Sequence, residues 1–235
     1  MTETDVMKGD AMRDFEVFDD LELHVDGSRP FDADAVAAAV AVCDRAEDHH
    51  GPGVVLVHVS GAPEPGWTDA LDLPTVNRWE RTLRRLERLP MTTVAVAAGD
   101  CGGAALDALL VTDRRLARPG TRLLVPSDRS TTWPGMATFR LVNQVGAARV
   151  RRAVLFGEPI TADQALGLGL LDQVTDDPGA ALAELAGRDG AYSGPDLSIR
   201  RQLMFDAATT SYEDALGAHL AACDRELRRT AGVRP

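Results

Sequence analysis

Thr92-Thr93-Val94-Ala95-Val96-Ala97-Ala98 runs into Gly99-Asp100-Cys101-Gly102-Gly103 and then into Ala104-Ala105-Leu106-Asp107-Ala108-Leu109-Leu110-Val111. The β-branched, alanine-rich run predicts a buried strand and the glycines a turn. The last stretch predicts a helix with one carboxylate in its first turn. Such a junction aims main-chain N–H groups, and the positive end of a helix dipole, at whatever lies above the turn. It has neither the lysine of a P-loop nor the GxGxxG spacing of a dinucleotide site, so its partner is better read as a carbonyl than a phosphate. A developing oxyanion is held by this kind of arrangement.

On the N-terminal side, Pro90 stops an amphipathic helix predicted over 74–89. Val76, Trp79, Leu83 and Leu86 share one face, and Arg78, Arg81, Arg84, Arg85 and Arg88 the other. That arginine face reads either as a solvated surface with short-range ion pairs or as a phosphate or subunit contact. Further back, Val54–Val59 is a near-continuous apolar run, the mark of a strand covered on both faces. Leu21–Val25 alternates as a half-buried strand, and Asp34 introduces an alanine- and valine-rich helix to about Glu47. Beyond Asp113, short strands are predicted over 114–117 and 122–125. Helical spacing follows over 136–156, interrupted at Gly146. Thr161 is expected to cap a short helix, a strand to span 170–174, and the tail from Pro195 to be mostly helical.

The chain has 235 residues, enough for one large domain with a full core. Strand–helix alternation makes it α/β with a helical C-terminal extension. We expect a flexible leader over 1–17, a core domain over 18–190 and a helical region over 191–235. A net charge of −11 argues against nucleic acid as a partner. The acidic N-terminus lacks the layout of a secretory signal, and no apolar run is of membrane-spanning length, so a cytoplasmic location is expected. Cys43, Cys101 and Cys223 lie far apart with no CxxC, which argues against a disulfide framework and against zinc. Cys101, in the glycine turn, reads as a nucleophile or as small-residue filling. The five histidines show no ligand spacing along the chain, so no metal site is expected. Trp67, Trp133 and Phe139 either line an aromatic pocket or simply pack.

Several stretches, in order, resemble the crotonase (enoyl-CoA hydratase/isomerase) superfamily. Val54–Gly61 looks like its second core strand and following turn, and Gly66-Trp67 sits where that family places its first oxyanion loop. Leu89-Pro90 with Thr92–Gly99, then Cys101–Asp113, resemble its strand, glycine turn and helix. Trp133-Pro134-Gly135 resembles its "PG" loop. Gly157-Glu158-Pro159-Ile160-Thr161-Ala162 with Ala165–Leu171 resembles a late family motif. The resemblance covers about residues 21–174 and implies a crotonase-like fold of the ClpP/crotonase type, a spiral of ββα units.

It further implies a coenzyme A thioester as substrate, with no permanently bound cofactor. The thioester carbonyl would accept from the N–H groups of Trp67 and Ala104, with Gly66, Gly103 and Gly135 as the loop glycines around it. An enolate would form between those donors. The family's two catalytic glutamates fall on Asp107 and Ser127. Asp107 keeps a carboxylate one methylene shorter, whereas Ser127 supplies none; Asp128 stands in if the loop shifts by one residue. One-base chemistry at the carbon beside the carbonyl remains open: dehydration, hydration or isomerisation. Asp107 also has a plain structural reading, as an acidic group stabilised by the helix dipole.

The family implies a homotrimer or hexamer. Length, the missing glutamate and the Arg/Ala-rich composition resemble the short hydratase-like members of actinobacterial 3,5-dihydroxyphenylglycine pathways, an antibiotic-biosynthesis context. These work beside a type III polyketide synthase making 3,5-dihydroxyphenylacetyl-CoA. The reaction would then be aromatisation of a cyclised polyketide thioester. Two rivals are a scaffold that binds and stabilises the synthase without catalysis, and a thioester hydrolase.

Overall fold

The computed structural model describes residues 21–51, 53–128, 131–189 and 194–232. The expected leader over 1–17 and the expected domain boundary at 190/191 lie outside them. Strands β1 (Glu22–Asp26), β2 (Val54–Gly61), β3 (Thr92–Gly102), β4 (Arg114–Ala117) and β9 (Gln173–Val174) are neighbours in that order, all parallel. β5 (Arg122–Leu124) pairs with the far end of β3, and β8 (Ile160–Thr161) closes antiparallel on β5. β6 (Ser127–Asp128) and β7 (Thr131–Thr132) form a separate small hairpin.

β3 is longer than its apolar run. The expected turn over 99–103 is mostly strand: Gly99 takes φ +65° and bends the chain, and Asp100–Gly102 then pair with Arg122–Leu124. The facing strand shifts register between Ser60 and Gly61. β3 thus uses β4 as its neighbour before the bend and β5 after it, and only Gly103, at φ +53°, makes the turn into the helix.

Alternation along the parallel strands divides the core. Val55, Val57, Val59, Ala95 and Ala97 face the main cluster, with α1 (Ala33–Asp48), α2 (Leu73–Leu86) and α3 (Ala104–Leu110). Val54, Leu56, Val94, Val96 and Leu116 face the other way and are covered by Ala181 and Leu185 of α7 (Pro178–Asp189). Both faces are covered, as the apolar run in β2 requires. α1 is capped by Asp32 rather than Asp34, whose oxygen accepts from the N–H groups of Asp34 and Ala35. α2 is capped by Asp72 and ends at Leu86, short of Pro90. Its Arg85 reaches Asp44 and Glu47 of α1, and its Arg84 pairs with Glu87. The arginine face is therefore at least partly an ion-paired helix surface.

α4 (Met136–Val145) and α5 (Ala147–Phe156) are separated at Gly146, φ +89°, where the sequence breaks its helical spacing. α6 (Ala162–Gly167) opens with a complete capping box between Thr161 and Gln164. The strand expected over 170–174 shrinks to two residues. α8 (Pro195–Asp206) and α9 (Tyr212–Gly232) form the helical C-terminal extension. α8 is bound to the core through Arg201, which is buried. Its guanidinium donates to both Asp113 oxygens and to the carbonyls of Leu89 and Met91.

Candidate active site

α3 is short, and every one of its seven residues is buried. At its C-terminal end, Arg115 and Gln144 both donate to the Leu110 carbonyl, at 2.9 Å each. These donors neutralise the negative pole, while the N-terminal pole is left facing the loop above the glycine turn. Ala104 opens the helix, so its N–H has no acceptor within it. The loop after β2 lies directly over this end. A methyl group on Gly102 would meet Ala62 Cβ at 3.0 Å, and one on Gly103 would meet Pro63 Cγ at 3.2 Å. The start of the loop after β2, at Ala62 and Pro63, thus packs on the glycine turn.

Their donors are not equivalent. The Trp67 N–H donates to the Glu64 carbonyl at 3.2 Å, closing the turn that Gly66 enters at φ +90°. The expected pair of open, converging amides is thus corrected to one helix N–H at Ala104 and one N–H already engaged at Trp67. The physical reason is the short Pro-Glu-Pro-Gly stretch before Trp67, which folds back on itself as a turn. The Trp67 ring packs edge-on to Trp133, with centroids 5.3 Å apart, and near Phe31 at 6.4 Å. Gly135 caps α4 beneath Trp133: a methyl group there would meet Trp133 Nε1 at 2.6 Å. Phe139 does not join these aromatics. It is 58% exposed and lines a cavity of about 1010 Å³ between the core and α8.

Asp107 lies in the first turn of α3, its N–H bound to the Gly103 carbonyl, and its side chain is buried between α2, α3 and α4. Burial, and then the Glu80 carboxylate, push its pKa up to about 7. Arg140 of α4 opposes them, with Nη1 3.6 Å from Asp107 Oδ1, as do more weakly the Trp79 indole and the Ala137 N–H. Arg140 is shared: its Nη2 donates to Glu80 at 2.6 Å, so its charge is divided between two carboxylates. Among the described residues, four buried side-chain polar atoms lack a hydrogen-bond partner. They are Trp67 Nε1, Trp79 Nε1, Asp107 Oδ1 and Arg140 Nη1. Buried polar groups are nearly always satisfied, and exceptions gathered at one place mark a site. Three of these four belong to the cluster around Asp107.

Ser127 is not brought to Asp107. It sits exposed in the β6–β7 hairpin, and a methyl group on Gly157 would meet its Oγ at 2.9 Å. Asp128 pairs with Thr131 through its main chain; its side chain lies outside the described residues. Cys101 is wholly buried, with its thiol pushed up to about 12 by burial. That fits filling and not nucleophilic work.

Sequence reasoning missed Arg140 and Glu80. Only α2 and α4 packing across α3 brings them to Asp107, and no spacing along the chain encodes that. It also missed a second grouping: Glu22, His24 and His58 offer ligand atoms that all lie within 4.8 Å of one another. The two histidines stand opposite each other in the β1–β2 register, a relation invisible in linear spacing.

A sequence profile described as enoyl-CoA hydratase/isomerase matches residues 71–187. A protein of Amycolatopsis orientalis named enoyl-CoA hydratase is 52% identical over 212 residues, covering 90% of this chain and 98% of its own. Among solved structures, an enoyl-CoA hydratase from Shewanella pealeana superposes with a TM-score of 0.74 at 16% identity, covering 97% of this chain and 92% of that one. An enoyl-CoA hydratase/isomerase family protein from Silicibacter pomeroyi gives 0.75 at 19%, covering 91% and 97%. At such low identity these two likenesses establish the crotonase fold alone. With the Amycolatopsis relative, they lead to one conclusion: the chain belongs to the enoyl-CoA hydratase/isomerase family of the crotonase superfamily.

Proposed function

We propose that this protein acts on an acyl-CoA thioester, with Asp107 moving a proton at the carbon next to the carbonyl. The observation that carries this reading is the Asp107 carboxyl itself. It is buried, one of its oxygens has no hydrogen-bond partner, and burial pushes its pKa up to about 7. A group with that pKa both accepts and returns a proton at neutral pH. The positive end of α3 and the Ala104 N–H stabilise charge developing on the thioester oxygen, worth about 3–4 kcal/mol for a well-aimed donor. Trp67 joins as second donor when the thioester oxygen displaces the Glu64 carbonyl from its N–H. Gly103 and Gly135 let Pro63 and Trp133 approach closely, and Gly66 takes the positive φ of the turn before Trp67.

With Ser127 turned toward Gly157, water addition by two cooperating carboxylates is disfavoured. The reaction that suits one proton carrier is elimination of water, in which the α C–H and the C–O bond break and a C=C bond forms. Aromatisation of a cyclised, polyketide-derived 3,5-dihydroxyphenylacetyl-CoA precursor is such a reaction, in a homotrimer working beside a type III polyketide synthase. The test is turnover of hydroxyacyl- and enoyl-CoA thioesters by wild type and Asp107→Asn. Turnover should be lost in the variant with thioester binding kept; equal turnover in both removes Asp107 from the mechanism.

A second reading is favoured by the engaged Trp67 N–H and by the sealing of Asp107 behind Arg140. On that reading the chain binds and stabilises the synthase without chemistry of its own. Co-purification with the synthase, and no turnover of any thioester by the isolated protein, would establish it. Hydrolysis of the thioester would appear as free thiol release.

A further inference from the structure

The face of the sheet opposite Asp107 holds a group of side chains that the proposed reaction does not use. On β1, Glu22 and His24 alternate with the core residues Leu23 and Val25, so they point away from the main cluster. On β2, His58 continues the row of Val54 and Leu56 on that same face. Parallel register sets His24 beside His58, and their rings stack with centroids 4.5 Å apart. Both Nε2 atoms face one oxygen: each is 3.5 Å from Glu22 Oε2.

We propose that Glu22, His24 and His58 form a binding site for a zinc-class divalent cation. Two imidazoles and one carboxylate are a borderline donor set, suited to first-row metals such as Zn²⁺ over Mg²⁺ or Ca²⁺. The spacing fits as well. Ligand bonds of about 2.0–2.1 Å in a tetrahedral site put donor atoms roughly 3.3–3.5 Å apart, matching the two histidine–glutamate separations. The two imidazole nitrogens close toward each other by a ring rotation, which the 72% exposed His24 side chain is free to make. On its other side His58 borders a cavity of about 310 Å³ that reaches Arg118 and Leu182.

The site does not depend on the proposed activity, but it has a structural consequence for it. β1 runs on to Gly27, whose N–H binds the Ser60 carbonyl at 2.7 Å. Any side chain at Gly27 would press within 2.5 Å of the Gly61 carbonyl and closer still to that of Gly102, so this strand backs the turn into α3. A cation bridging β1 and β2 fixes the register of that support.

The test is Zn²⁺ titration of the full, tag-free chain in competition with a chromophoric chelator. It is repeated with Co²⁺, whose visible absorption reports coordination geometry. Wild type should take up one equivalent, and its thermal midpoint should rise with zinc concentration. His24→Ala, His58→Ala and Glu22→Gln should each weaken binding at least tenfold. His49→Ala and His219→Ala should leave it unchanged. His24 is exposed, so its variant should keep the fold, and circular dichroism checks this for all three. No saturable binding by wild type overturns the assignment. So does affinity that follows His49 or His219, or that survives all three ligand variants.

Discussion

Asp107→Asn should make the protein inactive and, above neutral pH, more stable. In the folded chain the Asp107 pKa is raised from 3.8 to about 7 by burial and by Glu80. The folded state therefore binds more protons than the unfolded chain between those two values, and stability falls as pH rises through that window. The whole rise corresponds to about 4 kcal/mol, at roughly 1.4 kcal/mol for each pH unit. Between pH 5 and pH 8, Asp107 alone removes about 2–3 kcal/mol, since part of the window lies below pH 5. Asparagine has nearly the same shape and no charge to desolvate, and Arg140 keeps its bond to Glu80. Urea unfolding of both proteins at a series of pH values isolates this contribution as the difference between the two curves. The curves should converge near pH 4 and separate above it, with the variant the more stable at pH 8. Curves that run parallel across the whole range would refute the argument, because the buried titrating group would then not be Asp107.

Glu80→Gln removes the neighbouring charge that raises Asp107 and frees Arg140 to pair with it. The Asp107 titration should move to lower pH, seen as a downward shift of the window in which stability is lost. Arg201→Ala takes a buried guanidinium away from Asp113, which keeps its bonds from the Thr93 N–H and hydroxyl, and from the Leu89 and Met91 carbonyls. By urea denaturation it should cost about 3–5 kcal/mol, with α8 detaching first in hydrogen exchange. Ser127→Ala should leave turnover within about twofold of wild type, because a hydroxyl turned toward Gly157 supplies no proton at the acyl carbon. A loss as deep as that of Asp107→Asn would place Ser127 in the reaction.

The strand, turn and helix of 92–111 were legible because burial on both faces leaves little room for polar residues, and because a turn at positive φ calls for glycine. Thr161–Gln164 was legible for a local reason too, since a capping box is written within four residues. Other features were not local. The bend at Gly99 that carries β3 from β4 to β5 depends on partners more than ten residues downstream, so the glycines read as a single turn. Asp107 could be singled out in the sequence, but not its state: Glu80 lies 27 positions before it and Arg140 33 after it. The pairing of His24 with His58 is likewise a matter of strand register, which hydrophobic pattern alone does not fix for residues on a partly exposed face.

The division of Arg140 between two carboxylates explains why Asp107 is suited to a reaction needing one proton carrier. A guanidinium bound wholly to Asp107 would hold it ionised and fit only to accept a proton. With its Nη2 spent on Glu80, Arg140 meets Asp107 at 3.6 Å, beyond a hydrogen bond, and burial overcomes its attraction. The carboxyl is left near neutrality, where removing an α-proton and delivering it to a departing hydroxyl are comparably easy. Two glutamates fix a water in the transition state that its loss and its addition share, so a site without the second carboxylate loses that anchor in both directions alike. On this reading, net loss of water is driven by the stability of the product, as when an aromatic ring forms, and Asp107 alone carries the proton.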